Sequence, residues 1–295
     1  MQRPWPPMTK VVAVIPVGPN CLPEFVADTL ESIRAFTPEG TRVILVEDSR
    51  KGTAGRIADA LCVVVEAVAH GTLGALYLNL CEGFRAALSE SFDVLLRIDT
   101  DALVAGEFAE VVHDYFAKHP EIGSLGSYRM AWNNQPRSSS WAARRLLRSM
   151  TLYAPIRPRT AVVAASTTAQ AMRNGYTLGE CIMGGVAVYS QRAVAALGEA
   201  DLLPRRELAR TDLQEDQIFG LALRSIGFGL ADFGTERDGL PFGVKHVGLP
   251  AHPDVLLAKG KALIHSTKRY EDLDEGQVRA IFAAARPRPS GRNVA

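Results

Sequence analysis

The run from Asp93 to Val104, Asp-Val-Leu-Leu-Arg-Ile-Asp-Thr-Asp-Ala-Leu-Val, constrains the fold of this chain more than any other stretch. Val94, Leu95, Leu96 and Ile98 form a short apolar segment, the pattern of a strand covered on both faces. It stops at two carboxylates two positions apart, Asp99 and Asp101. Acids at the end of such a strand lie at the carboxyl edge of an open α/β sheet, where such folds bind ligands. Two acids at that spacing can meet one divalent cation, or one can meet the cation and the other a sugar hydroxyl. Carboxylate oxygens suit Mg²⁺ or Mn²⁺. A solvated acidic turn gives the same tripeptide, so the surroundings must decide.

Those surroundings repeat one unit. Lys10 to Pro16 is an apolar strand, and Leu22 to Phe36 carries apolar residues at helical spacing. Thr41 to Val46 is a second strand, ending in Glu47-Asp48-Ser49, and Leu61 to Glu66 is a third. His70-Gly-Thr-Leu-Gly74 then leads into a helix over 75–88. Small residues there would admit a phosphate, although a tight turn needs no ligand. With the strand at 94–98, this is half of a doubly wound parallel sheet. Asp48 also falls at a carboxyl edge. It can accept from a base N–H or a ribose hydroxyl, or cap a helix beginning near Gly52. The dinucleotide fingerprint G-x-G-x-x-G is absent, which disfavours a dehydrogenase. The glycine-rich basic loop of sugar nucleotidyltransferases is absent too.

Composition narrows the classes further. The 295 residues suit one large domain, and a formal net charge of +1 implies no general attraction to nucleic acid. Cys21, Cys62, Cys81 and Cys181 form no C-x-x-C pair, so neither a zinc ribbon nor a disulfide framework is expected. No apolar run reaches the roughly eighteen residues of a membrane span. The proline-rich start lacks the apolar core of a secretory signal, and the expectation is a soluble, cytoplasmic protein.

The second half is less regular. Residues 128–178 hold eight arginines and no Asp or Glu. Within them, Trp141, Leu146, Met150 and Tyr153 roughly align at helical spacing, beside Arg144, Arg145 and Arg148. A mobile flap for an anionic acceptor or a membrane surface would read this way, and so would a solvated surface helix. Gly184 and Gly185 open an apolar strand, a sign of close backbone approach to a ligand or to packed neighbours. Glu215 and Asp216 stand in the first turn of an apolar helix, where the helix dipole alone favours carboxylates. His265 and Lys268 follow a late apolar run. The imidazole can complete a metal shell, and the ammonium can meet a diphosphate.

In this order, the signals resemble the GT-A glycosyltransferases, most closely the inverting enzymes of family 2, over roughly residues 10–270. The resemblance implies an α/β fold with a mostly parallel central sheet flanked by helices, in one domain over 10–285. That domain would comprise a nucleotide-binding half (10–127), a basic acceptor segment (128–178) and an acceptor/catalytic half (179–285), between a flexible leader (1–9) and a flexible tail (286–295). It implies that Asp48 contacts the nucleotide base with Pro16 at the edge of its pocket. Asp99 would lie near the ribose or donor sugar, with Gly184, Gly185 and Lys268 also on the donor. Asp101, with His265, would hold Mn²⁺ or Mg²⁺, and Asp216 would be the general base beside Glu215. The donor would be a UDP- or GDP-linked sugar. The acceptor would be a glycan, or, as the basic segment suggests, a lipid-linked or anionic small molecule, and that segment also admits peripheral membrane contact. Two departures stand out. Gln217 is not followed by the Arg-Trp of processive synthases, so a single transfer is expected. Glu47 stands where the family usually has Asp, which leaves the base-contacting acid open. A sugar nucleotidyltransferase and a GT-A-like binding protein without turnover are the competing readings.

Overall fold

The structure, a computed structural model, describes residues 9–71 and 74–287. All but residue 9 of the expected leader, the tail beyond residue 287, and positions 72 and 73 of the loop after the third strand lie outside the described residues.

The first hundred residues alternate strand and helix: β1 (Val11–Val17), α1 (Pro23–Phe36), β2 (Arg42–Glu47), α2 (Thr53–Ile57), β3 (Cys62–Glu66), α3 (Ala75–Ala87) and β4 (Val94–Ile98). Then come β5 (Ala102–Val104), α4 (Ala109–Lys118), β6 (Ile122–Gly126), α5 (Ser140–Met150), α6 (Pro158–Arg173), β7 (Val186–Ser190) and α7 (Gln191–Glu199). The chain finishes with α8 (Glu215–Ser225), β8 (Gly229–Asp232), β9 (Phe242–Val244), α9 (Pro253–Ala258), β10 (Leu263–His265) and α10 (Glu275–Ala284).

Seven strands form one sheet in the order β3-β2-β1-β4-β7-β6-β8. It is parallel except at β7, which runs antiparallel to β4 and β6. The apolar runs are continuous because both faces are covered. Val12, Val14, Ile44 and Leu95 pack with Tyr77, Leu80 and Phe84 of α3 and Phe219 of α8. Ala13, Ile15, Leu45 and Leu96 pack with Val26, Leu30 and Ile33 of α1 and Val112 of α4. This is the mixed α/β, mostly parallel architecture expected from the sequence.

A second sheet, ordered β5-β10-β9, was not anticipated. Its apolar cluster joins Leu103 and Ile264 to Leu256 of α9 and Val278 and Phe282 of α10. Only Asp99-Thr100-Asp101 separates β4 of the large sheet from β5 of the small one. The acidic turn is therefore the hinge point between two packed sheets rather than a solvated loop. Residues 128–178 fold largely as the α5–α6 helix pair. The buried face of α5 is Ala142, Leu146 and Ser149, so Trp141 falls off that face and stays half-exposed. Helix α6 buries Thr160, Ala161, Ala164, Thr168 and Ala171. The expected flap is thus anchored along its length by a layer of small side chains.

Candidate active site

The carboxyl end of β4, the amino end of β7, the start of α8 and the end of β10 meet around a cleft of 890 Å³. Its lining includes Asp99, Asp101, Gly184, Gly185, Glu215, Asp216, His265 and Lys268. Eight of the ten residues singled out from sequence converge there. Pro16 and Asp48 do not line it. They lie at the ends of β1 and β2 on the same sheet edge, where the Asp48 N–H donates to Val17 O at 2.9 Å.

The acidic turn is held from three sides. Strand β10 pairs antiparallel with β5, placing His265 opposite Ala102 and so beside Asp101. His265 Nδ1 lies 3.0 Å from Lys245 O. A carbonyl only accepts, so Nδ1 donates to it, and Nε2 faces Asp101 with 3.6 Å to its Oδ2. Ser266 Oγ donates to the same carboxyl oxygen at 2.9 Å, and Lys268 Nζ lies 3.3 Å from it. Burial opposes the charge on Asp101, but the His265 hydrogen bond and charge, Lys268 and Ser266 outweigh it. They hold its carboxyl well below the ordinary range.

Arg97, which the sequence reading passed over, organises the other acids. It is buried near the end of β4, pointing the same way as Asp99 because strand side chains alternate. Its guanidinium donates to Asp99 and to Glu215 Oε1, each at 3.1 Å. Burial, then the charges of Glu215 and Asp101, outweigh Arg97 and push the Asp99 carboxyl up to about 6. Asp216 is likewise pushed up to about 6, by burial and by neighbouring Glu215, against Arg97 and the Gln217 N–H. That N–H donates to Asp216 Oδ1 at 2.7 Å, and the Cys181 thiol lies 3.7 Å from Oδ2. One detectable signal existed: an arginine within an otherwise apolar buried strand must find carboxylates.

The Gly-Gly pair makes room for these groups. A Cβ on Gly185 would fall 2.2 Å from His265 Nε2, and the residue has φ +94°. No L side chain satisfies both conditions. A Cβ on Gly184 would come within 3.0 Å of Glu215 Oε1. Both glycines thus pack closely against site residues and also line the cleft.

At β2 the structure separates two acids. Glu47 is buried and accepts from the N–H groups of Ser49 and Ala54, while Ser49 Oγ accepts from Lys51 and Thr53 N–H. Helix α2 therefore has its capping from Glu47 and Ser49. Asp48 instead bonds His70, and Asn79 Nδ2 donates to it at 3.3 Å. Its reading as a helix cap does not hold.

The basic segment supplies the far wall. Arg137 donates to the carbonyls of Ser127, Tyr128 and Cys181, which fixes the entry to α5. Gly179 packs so closely on α5 that a Cβ would lie 2.5 Å from Ser139 O. Trp141 lines the cleft, and Arg145 stacks on its ring at 4.3 Å from the centroid. Tyr128, Glu180 and Arg224 form a satisfied buried network beside it, with Arg224 Nε 2.7 Å from Glu180 Oε1.

Among the described residues, no three His, Cys, Asp or Glu side chains are arranged to hold a metal ion unaided. The donor set still fits one. Asp101 and Nε2 of His265 offer an oxygen and a nitrogen, and Asp99 Oδ1, 2.9 Å from Arg97 Nη2, makes no hydrogen bond. Cations at diphosphate sites commonly take only one or two protein ligands and leave the rest to phosphate and water.

A mostly parallel sheet with these acids at its carboxyl edge defines a GT-A glycosyltransferase. The sequence model of glycosyl transferase family 2 matches residues 13–194, more than half of the chain, and the chain belongs to that family. The match covers Asp48, Asp99, Asp101 and the Gly-Gly pair, and ends before Glu215, Asp216, His265 and Lys268. No curated protein matches the sequence. Solved structures that resemble it include the following three. The WbbM bifunctional glycosyltransferase in its apo form has a TM-score of 0.47 at 12% identity, over 97% of this chain and 51% of that one. The mannosyltransferase PcManGT from Pyrobaculum calidifontis, in complex with GDP-Man and Mn²⁺, has 0.42 at 14%, over 78% and 56%. TarS of S. aureus has 0.43 at 14%, over 77% and 35%. The chain thus spans roughly half or less of the length of these relatives. No described helix is long and apolar enough to cross a membrane.

Proposed function

We propose that this chain transfers one sugar from a UDP- or GDP-linked donor to an acceptor hydroxyl, with inversion and with Asp216 as general base. The observation that carries the proposal is the convergence, in one cleft, of a strongly anionic Asp101 beside His265 with a proton-accepting Asp216. Asp101 and His265 would hold Mg²⁺ or Mn²⁺. Such an ion, when bound, offsets the charge that grows on the departing diphosphate. Lys268, 64% exposed at the rim, can swing from Asp101 onto the same diphosphate. Asp99 faces the donor sugar, and Arg97 keeps it and Glu215 from repelling each other apart.

The acceptor enters against Trp141 and Arg129, which both line the cleft. Its hydroxyl attacks the anomeric carbon as the bond to the diphosphate breaks, and Asp216 takes the hydroxyl proton. A carboxylate with its pKa near 6 is ionised at neutral pH yet basic enough for that task. Asp48 and Pro16, outside the cleft but on the same edge, would meet the nucleotide base.

Calorimetric titration with UDP, GDP, CMP and dTDP, with and without Mn²⁺, tests the donor half directly. Metal-dependent binding of UDP or GDP, lost in Asp101→Ala, is expected. Absence of binding to any of the four with metal present would overturn it.

A further inference from the structure

The far end of the α5–α6 pair, away from the cleft, carries a feature that sugar transfer does not use. The turn between the helices and the first two turns of α6 expose Leu152, Ile156 and Val162, at 66%, 75% and 67% of their full surface. Leu147 of α5 adds a fourth exposed apolar side chain. Four large apolar groups within sixteen residues are unusual on a water-facing surface.

Their neighbours are guanidinium groups. Arg144, Arg145, Arg148 and Arg159 lie on the same pair of helices and Arg157 just before α6, and residues 128–178 contain no carboxylate at all. Among the described residues, only Arg148 of these five reaches an acid, Asp212 at 3.9 Å. Beside the turn opens a second cleft, of 720 Å³, lined by Ile156, Arg157, Arg159, Thr160, Arg210 and Thr211, with Asp212 also on its wall. Arg157 is oriented by its bond to Arg210 O at 2.7 Å.

We infer that this hairpin docks the protein onto an anionic membrane surface, with Leu152 and Ile156 in the interface and a lipid headgroup phosphate among Arg157, Arg159 and Arg210. Exposed apolar side chains flanked by arginines are what an interfacial anchor requires. Arginine stems lie along the acyl boundary while the guanidinium groups stay among phosphates. Residues 128–178 bring no carboxylate to repel an anionic leaflet, and Asp212 on the cleft wall faces Arg148 at 3.9 Å. The geometry also serves the cleft. Helix α5 runs from Trp141 at the cleft to the docking turn, about 15 Å at 1.5 Å per residue. An acceptor held in the bilayer by a lipid would thus present its headgroup within reach of Asp216.

The test is sedimentation of the full chain with phosphatidylcholine vesicles, with and without phosphatidylglycerol. Pelleting is expected only with the anionic lipid, and it should weaken as salt rises. Leu152→Ser with Ile156→Ser, and separately Arg157→Gln with Arg159→Gln, should each lower the bound fraction at roughly tenfold higher lipid demand. All four positions are exposed, so the fold should survive. Unchanged metal-dependent nucleotide binding, or unchanged circular dichroism should no nucleotide bind, checks that. Failure to pellet with anionic vesicles, or equal pelleting of the variants, would overturn the inference. So would concentration-dependent self-association abolished by the same substitutions without any vesicle binding, since a second copy would then be the occupant.

Discussion

Arg97 shows how much of this site rests on one residue. Its positive charge lies between Asp99 and Glu215 and opposes the upward push on Asp216. Without it, the carboxyls of Asp99 and Asp216 lose the charge that opposes their upward push and take up their protons at higher pH. The raised carboxyl of Asp216 gives a definite pH expectation. Below about 6 it is protonated and cannot accept the hydroxyl proton, so kcat/KM should fall as pH drops through that value and level off above it. The same shift costs stability above pH 6, and that cost is relieved as pH falls toward the ordinary carboxyl range. Asp216→Asn should lower kcat by about 10²–10⁴-fold while leaving nucleotide binding intact. Steady-state kinetics across pH checks both parts; an acid limb that survives in the Asn variant would assign the base elsewhere.

Among the elements, α10 does more than close the fold. Arg279, buried on that helix, donates to the carbonyl of Thr100, to Phe25 O at 3.2 Å and to Asp28 Oδ2 at 2.8 Å. The last helix thereby fastens the middle of the Asp-Thr-Asp turn to α1. Arg279→Ala should destabilise the protein by about 3–5 kcal/mol, as expected when one partner of a buried ion pair is removed. It should also weaken metal-dependent nucleotide binding; chemical denaturation and calorimetry would report the two effects separately. No sequence pattern announced this tie, because its partners are some 180–250 residues away. The elements that were legible are those whose signal is local. Strands β1 to β4 and helices α1 and α3 fall within a residue or two of the positions their apolar spacing implies. Helix α6 was missed because it packs through alanine and threonine, which leave no apolar stripe to read. The pairing of β10 with β5 was missed because register is a long-range choice, yet it alone sets His265 beside Asp101. Residue types at strand ends therefore pointed to the site, while the partners of Arg97 and the capping role of Glu47 needed the folded chain.

Across the whole molecule, the two halves expected from the sequence are interleaved rather than adjoined. Strand β7 lies between β4 and β6, and β10 lies between β5 and β9. The carboxyl edge that carries Asp99 and Asp101 is thus flanked by strands from beyond residue 178. A fragment of residues 10–127 would expose the edge of β4 along Val94–Ile98 and leave β5 without a partner. It would also strip the α8 side chains from Leu95 and Phe84. Each large apolar side chain uncovered costs about 1.5–3 kcal/mol, and a domain has only about 5–15 kcal/mol in total. The fragment is therefore expected to stay unfolded, and the full chain to unfold in one cooperative transition. Circular dichroism of the isolated fragment and a denaturant titration of the intact chain followed by two probes would decide. A folded fragment, or two separated transitions, would show that the nucleotide-binding half stands alone and that the acidic turn does not need β7 and β10 to hold its shape.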